Sequence, residues 1–402
     1  MLHAGSAAFS PQAAPVIVPR RKGRFQELQD QVARLLERMR IAVVYGGDKS
    51  VEGTVINQTF NTRTWKSYQA VAEDIAESLK RLGAQQVHLL AEDMSLARKL
   101  SELGIDFVWL NTGGVQGFNP MSHASALLEM VGIPYVGHDP LTASMLDNKH
   151  SFKRDLLALG LPTPLFMSWH PGRSDVPAHE TRRFKSIFGD YGGPFIVKPV
   201  SGRASQHVHV VDDAQGLKAV IDEVYDVTHN HVLVEKYLSG REFCIAICGH
   251  VVAKNGQLER SDSPFVFGAV ERLLEPEEMI FTSMDVRPIT VDRIRALDLE
   301  ADREVAKQLK ELATEVFCEL GLETLVRLDV RSDQSGAMYV LEANPKPDLK
   351  APKGEKTSLV CASLAQYGMS YDDLILSLLA DRIDLLFSQR RGAVAHLASL
   401  LK

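Results

Sequence analysis

Between residues 41 and 138 short apolar runs alternate with amphipathic stretches, and no other feature of the sequence restricts the fold so tightly. The runs are "IAVVYGG" (41–47), "VHLLAE" (87–92) and "FVWLNTGG" (107–114). Each has the length and composition of a strand buried on both faces. Between them, residues 66–82 repeat apolar groups at Val71, Ile75, Leu79 and Leu82, and helices are expected near 94–103 and 121–131. Strands joined by helices in this way form an open parallel sheet, because parallel neighbours need a long crossover. Residues 41–138 are therefore predicted to be one α/β domain.

The rhythm changes after "IPYVGHDP". A helix is predicted over 151–164, ended by Gly160 and two prolines. Strands follow at 194–200 and 207–213, a helix at 214–227, and strands at 231–238 and 241–249, which together make an α+β unit. Residues 250–300 have acidic clusters and few periodic positions, so they are expected to be an irregular insertion with a strand or two. A long helix at 301–320, a hairpin at 325–344 and an amphipathic helix at 371–388 complete the chain. Upstream of the first strand, "FQELQDQVARLLERM" (25–39) aligns Leu28, Val32, Leu35 and Leu36 in a stripe that would cap a domain or a partner subunit. About the first 22 residues read as a mobile tail.

The 402 residues, 45% hydrophobic and 24% charged, fit an ordinary soluble protein of two or three domains. A formal net charge of −6 provides no basic field, which argues against nucleic acid or an anionic membrane as partner and for small-molecule substrates. Four cysteines without a CxxC pair are expected as buried free thiols in a reducing cytosol. No apolar run is long enough for a signal peptide or a membrane span, so a cytoplasmic location is expected.

The hairpin points to chemistry. With Ser335-Gly336 as a two-residue turn, Asp329 falls opposite Glu342 and Arg327 opposite Asn344, all on one face. The other face would hold Val326, Leu328, Val330, Tyr339, Leu341 and Ala343. Two carboxylates facing each other repel, and either a hard cation such as Mg²⁺ or nearby arginines on a wet surface would relieve the conflict. Lys198, in "FIVKPVSG", ends a strand before a Gly-containing loop; it is either a phosphate ligand or a snorkelling edge lysine. In "VLVEKYLSGREF" a short hinge separates Glu235 from Glu242, and such a hinge suits an adenine edge and ribose hydroxyls.

Taken in order, Lys149 in "LDNKHSFK", Lys198 in "IVKP", "VEKYLSGREF", "RLDV" and "LEANP" resemble the ATP-grasp superfamily and, within it, the D-alanine–D-alanine ligase group. The resemblance spans about residues 41 to 388. It implies an α/β plus α+β chain: a tail and helix (1–40), an open parallel pre-ATP-grasp domain (41–138), and a two-lobed ATP-grasp domain. The central lobe would be 139–238 and the C-terminal lobe 239–390, with the hairpin 325–344 in the latter, and 391–402 would be a tail.

The implied reaction is an ATP- and Mg²⁺- (or Mn²⁺-) dependent carboxylate–amine ligation through an acyl phosphate, giving a dipeptide or amide with ADP and phosphate. The resemblance places Lys149 and Lys198 on ATP phosphates, Glu235, Tyr237 and Leu238 on adenine, and Glu242 on ribose. Asp329, Glu342 and Asn344 would be metal ligands, and Arg327 the oxyanion-hole group. It also implies a homodimer acting on small carboxylate and amine substrates, amino acids above all. Two other readings stay open: a nucleotide-binding regulatory or scaffold protein of this fold, and a bicarbonate-dependent carboxylase-like enzyme.

The substrate side departs from the group. "YGGDKSVEGTVINQTF" keeps the glycines and Glu52 but then diverges, so Glu52 either binds the ammonium of a first amino acid or is a solvated turn acid. "NTSPGMT" is replaced by "NPKPDLKAPKGEKTSL", in which Ser358 and Leu359 match an acceptor-contacting Ser-Leu. Lys346, Lys350, Lys353 and Lys356 in that segment either meet an acidic acceptor or form a solvated loop.

Overall fold

The computed structural model describes residues 25–47, 51, 66–117, 119–173, 177–202, 205–275, 278–280, 293–353, 357–389 and 394–402; the predicted N-terminal tail, Glu52 and Lys356 lie outside them. Helix α1 (Phe25–Arg38) leads into strand β1 (Arg40–Tyr45), and α2 (Gln69–Arg81), β2 (Gln86–Ala91), α3 (Leu96–Glu102), β3 (Phe107–Asn111), α4 (His123–Val131) and β4 (Tyr135–Val136) follow. The strands pair in parallel in the order β2-β1-β3-β4. Because strand side chains alternate, β1 serves two cores. Ile41 and Val43 pack with the apolar stripes of α1 and α2, while Ala42 and Val44 pack with Leu96, Leu100 and Leu128. At the sheet edge β2 is less buried than its apolar run suggests, with Leu89 exposed and Leu90 buried.

Helices α5 (Pro140–Asp147) and α6 (Lys149–Ala158) form the next layer. Both start at side-chain caps: Asp139 accepts from the Leu141 and Thr142 N–H groups, and Asn148 accepts from Ser151 N–H. The helix predicted from 151 thus begins at Lys149, with a second helix before it. Leu146, Phe152 and Leu156 pack into the core of the C-terminal sheet, not that of the central lobe. The central sheet comprises β5 (Phe166–Trp169), β6 (Phe195–Pro199), β7 (His209–Val211) and β8 (Val232–Lys236), antiparallel in the order β5-β8-β6-β7. Helices α7 (Arg182–Phe188) and α8 (Leu217–Thr228) cover one face, burying Phe195, Val197, Val232 and Val234. The alternate residues Ile196, Lys198 and Glu235 turn to the other face, where they line a cleft.

After the central sheet come β9 (Glu242–Cys248) and the hairpin β10 (Val251–Lys254) to β11 (Gln257–Arg260). Next come β12 (Phe265–Val266), β13 (Val270–Arg272), β14 (Ile294–Ala296), α9 (Arg303–Glu319), β15 (Val326–Ser332) and β16 (Met338–Asn344). The main sheet runs β14-β13-β9-β15-β16, and β12 also pairs with β9. The described residues of 250–300 therefore hold five strands, β10 to β14, where a strand or two was expected. Strands of two to four residues are too short to show a period, yet β13 is hydrogen-bonded into the sheet. Of the cysteines, Cys244, Cys248 and Cys361 are buried free thiols, whereas Cys318 is exposed on α9.

Helix α10 (Tyr371–Gln389) forms where an amphipathic helix is expected, but it has no exposed face from Asp373 to Ile383, where every residue is buried. Its apolar side chains join α1, α2 and β10 in one core. Three polar groups one turn apart explain how it tolerates this position. Asp373 accepts from Gly256 N–H, Ser377 from Ala253 N–H, and Asp381 from His250 and Val251 N–H. Four helical residues rise about 6 Å and two strand residues about 6.6 Å, so Ser377 and Asp381 match Ala253 and Val251 on the free edge of β10, and Asp373 meets the turn after it. The last helix, α11 (Ala395–Leu400), lies within the segment expected as a tail. Leu397 is fully buried, and Arg34 and Arg38 of α1 donate to the Leu401 and Leu400 carbonyls. Among the described residues no helix is long and apolar enough to cross a membrane.

Asp381 yields a stability prediction. Burial pushes its carboxyl up to about 6, although two backbone N–H groups favour its charge. Between about pH 4, its unfolded value, and pH 6 the folded chain keeps a proton that the unfolded chain has lost, so this group lowers stability as pH rises through that window. Asp381→Asn keeps the Oδ1 acceptor and removes the charge. It is expected to raise the unfolding free energy by about 1–2 kcal/mol at pH 8 and by little at pH 4.5. Urea unfolding at both pH values checks this, and an equal gain at each would contradict it.

Candidate active site

The site is built around the β15–β16 hairpin. Arg327 pairs with Asn344 and Asp329 with Glu342, as the sequence predicts, but the ladder reaches this register by another route. The loop is one residue longer than the two-residue turn: Asp333 N–H donates to the Ala337 carbonyl, and Gly336 takes φ 88°. A β-bulge then shifts the register back between Asp329 and Val330, leaving Leu341 as the extra residue. Val340 consequently faces the core opposite Val330, and Leu341 turns to line the cleft instead of sitting on the apolar face.

The chain's own cations relieve the carboxylate conflict. Arg327 donates to Asp329 from Nε at 2.8 Å and from Nη2 at 3.1 Å, and Arg272 Nη2 lies 3.2 Å from the same carboxylate. Cys244 Sγ donates to it at 3.3 Å. Burial alone would raise the Asp329 carboxyl, but Arg272 and Arg327 hold it well below the usual carboxylate range. Glu342 pairs with Lys149 at 3.2 Å. Arg272 also reaches Glu242 at 2.8 Å, and Arg331 approaches Glu242 at 3.5 Å, so one guanidinium on β13 links two acids of β9 and β15. Sequence reasoning missed Arg272 because it lies in the segment without readable period.

Asp329, Glu342 and Asn344 offer only oxygen donors from one sheet face, which fits a hard divalent cation. Among the described residues no three His, Cys, Asp or Glu gather as a metal site, so the set depends on the Asn344 amide as its third donor. At present that amide oxygen accepts from Lys346 N–H at 3.1 Å.

Beside the hairpin, between the two antiparallel sheets, lies a cleft lined by charged, polar and apolar side chains. Lys149, Lys198, Glu235, Tyr237, Leu238, Glu242, Asp329 and Glu342 all line it, so most of the sequence-predicted residues come together. Ile196, Val208 and Leu341 add apolar wall. Tyr237 hydroxyl donates to the Met279 carbonyl, its ring lies 5.0 Å from the Arg331 guanidinium, and its N–H is engaged by the Pro194 carbonyl. Lys149 Nζ donates to the Gly202 carbonyl at 3.2 Å, at the base of the loop after β6.

Glu235 has a neighbour the sequence did not reveal. Its carboxylate is almost wholly buried between Lys198 Nζ, 2.6 Å from Oε2, and Lys153 Nζ, 2.6 Å from Oε1. Burial, offset only partly by Glu235, pushes the Lys153 ammonium down to about 8. Burial acts against Lys198 as well, but Glu235 and Glu342 hold it above its ordinary value. A signal was present: Lys149 and Lys153 lie one turn apart, on the same side of α6.

Other predicted residues fall elsewhere. Ser358 is buried, and its hydroxyl accepts from Cys361 N–H at 3.2 Å at the start of a short 3₁₀ turn. Leu359 packs with Cys244 and Val270. Neither lines the cleft. Lys346 is no loose loop residue: its Nζ lies 3.3 Å from the Tyr68 ring centroid and donates to Asn111 Oδ1 at 3.3 Å, docking the segment after the hairpin onto the parallel-sheet domain. Lys350 and Lys353 pair with Asp74 of α2.

The chain is similar to known proteins in both sequence and fold. The D-alanine–D-alanine ligase of Pseudomonas putida strain GB-1 is 29% identical over 349 residues, 86% of this chain and 93% of its own length. The ATP complex of D-alanine–D-alanine ligase from Bacillus anthracis superposes with a TM-score of 0.62 at 20% identity, covering 88% of this chain and 99% of that one. The VanG D-Ala:D-Ser ligase of Enterococcus faecalis shares the fold at a TM-score of 0.60 and 17% identity, over 86% of this chain and 99% of its own. The family model for the D-Ala–D-Ala ligase C-terminus matches residues 156–380, which include both antiparallel sheets and the hairpin. On that match the chain belongs to the D-alanine–D-alanine ligase family of ATP-dependent carboxylate–amine ligases, which form ADP and phosphate.

Proposed function

We propose that this chain joins two small amino acids, D-alanine or a close analogue in at least one position, with ATP bound in the cleft between the two sheets. The polar face of the hairpin is the observation that carries this reading. It turns Asp329 and Glu342 into a cleft whose walls supply Lys149 and Lys198, with Arg327 and Asn344 paired beside them on the hairpin. The relatives named above support the amino-acid substrates.

In this reading the apolar wall of Ile196, Leu238 and Leu341 takes the adenine ring, with Tyr237 and Glu235 at its edge, and Glu242 takes the ribose. Lys149 and Lys198 meet the phosphates, where fixed positive charge stabilises the γ-phosphoryl as it moves to a substrate carboxylate. A carboxylate is a poor electrophile; once phosphorylated, its oxygen leaves as phosphate when an amine attacks. Negative charge then grows on the carbonyl oxygen, and Arg327 is the nearby cation that opposes it. Asp329, Glu342 and Asn344 would hold Mg²⁺ or Mn²⁺, which supplies charge neutralisation on the transferring phosphoryl group.

The test is ADP release with Mg²⁺-ATP against D- and L-amino acids, singly and in pairs, with mass detection. The expected result is one ADP per product whose mass is two amino acids less one water. ADP release that depends on bicarbonate, or none with any pair, would overturn the reading.

A further inference from the structure

We propose that Lys153 is a positioning residue for nucleotide binding: it neutralises Glu235 so that the charge of Lys198 remains available to phosphates, and it anchors the bulge that points Leu341 and Glu342 into the cleft. The inference rests on the ATP reading above and assigns a role to a group that touches neither nucleotide nor reacting atoms.

Lys153 lies on α6, is fully buried and does not line the cleft. Its ammonium sits 2.6 Å from Glu235 Oε1 on β8 and donates to Thr163 Oγ1 at 2.8 Å. It also donates to the Val340 carbonyl of β16 at 3.5 Å, and the Phe166 ring centroid of β5 lies 5.7 Å away. An ammonium with no exposure to water is unfavourable unless firmly paired, and an apolar side chain would fill the same space at less cost. What Lys153 does to its partners gives it a function.

The first effect is charge. Glu235 contacts Lys198 through its other oxygen at 2.6 Å. With Lys153 present, one carboxylate is shared by two ammonium groups, and the group of three is net positive; Lys198 is the ammonium that faces the cleft. Without Lys153 the carboxylate would cancel Lys198 one for one. In a low-dielectric site that difference is felt strongly by a polyanion.

The second effect is geometric. Thr163 hydroxyl donates to the Val340 carbonyl at 2.9 Å, Val340 N–H donates to the Pro162 carbonyl at 2.9 Å, and Lys153 adds its contact to the same carbonyl. Val340 is the last residue before the bulge, so α6 and the chain after it hold the backbone where β16 changes face. Through one side chain, the central sheet that carries Glu235 and Lys198 is tied to the hairpin that carries Glu342.

Titration calorimetry of the full chain with a non-hydrolysable ATP analogue and with adenosine tests the charge role. Lys153→Met is expected to weaken the ATP analogue roughly 10- to 100-fold and adenosine by less than about 3-fold, because the loss acts on phosphates. Adding Glu235→Gln removes the carboxylate that cancels Lys198 while keeping an amide oxygen. Because Glu235 also stands at the adenine edge, the readout for the double variant Lys153→Met/Glu235→Gln is the ratio of ATP-analogue to adenosine affinity, which should return to within about 10-fold of wild type. Unchanged affinity in the single variant, equal losses for both ligands, or no recovery in the double variant would overturn the proposal. Should Lys153→Met fail to fold, the double variant, which leaves no carboxylate uncompensated, decides alone by the same 10-fold limit. A wild-type chain that binds no ATP analogue would overturn the ATP reading and this inference together, whereas a defect confined to the variants' recovery would overturn this inference only.

Discussion

Asp329→Ala is expected to lower ligase turnover by at least about 10³-fold and also to reduce the unfolding free energy by about 3 kcal/mol. From the hairpin alone the substitution looks harmless to the fold, since it removes one of two facing carboxylates. The structure reverses that expectation. Asp329 is buried and balances two guanidinium groups, Arg327 and Arg272, so its loss leaves like charges without their shared partner. Glu342→Gln is the informative contrast. Its side chain is a third exposed and forms an ion pair with Lys149 at 3.2 Å, so turnover should fall as far while stability moves by less than about 1 kcal/mol. ADP release and urea unfolding on both variants measure the two effects. Because the folded Asp329 pKa is depressed, its contribution is fully present above the unfolded value near 4 and is lost as pH falls through the lower folded value. The stability gap between wild type and Asp329→Ala should therefore be full at neutral pH and close only in strong acid. Wild-type turnover in either variant would remove that residue from the metal and phosphate site.

Arg272→Met is expected to destabilise the chain by about 3 kcal/mol and to raise the KM for ATP by at least about 10-fold. The planar guanidinium reaches Glu242 from one nitrogen and Asp329 from the other, which orders the proposed ribose acid and the proposed metal acid with a single group. Arg272→Lys should not restore either property in full, because one ammonium is a point charge and lacks the fork. Should lysine serve as well as arginine, the role of Arg272 would be general electrostatics, and the two-acid linkage would be wrong.

Much of this site was legible before the fold was known, and the reasons are local. The period-two alternation in "RLDV" and "LEAN" places Arg327, Asp329, Glu342 and Asn344 on one face whatever the surroundings. The predicted pairing agrees with the structure only because two departures cancel: the loop is longer by one residue, and the bulge at Leu341 takes that residue up. Leu341 itself was misplaced, since a bulge leaves no mark in the hydrophobic pattern. Helix α10 was misjudged for a related reason. Asp373, Ser377 and Asp381 give the helix a polar stripe, yet that stripe meets the unpaired edge of β10 and the turn after it.

By itself the sequence determined the alternation of strands and helices over residues 41–138, the parallel sheet they form and the polar face of the hairpin, because each follows from side-chain periodicity within a few residues. Only the tertiary structure decided which charges balance which. The pairing of Lys153 and Lys198 on Glu235, and of Arg272 on Glu242 and Asp329, depends on how two separately formed sheets and α6 come together. Coulomb energy depends on distance and burial, and neither is encoded in the spacing of residues along the chain.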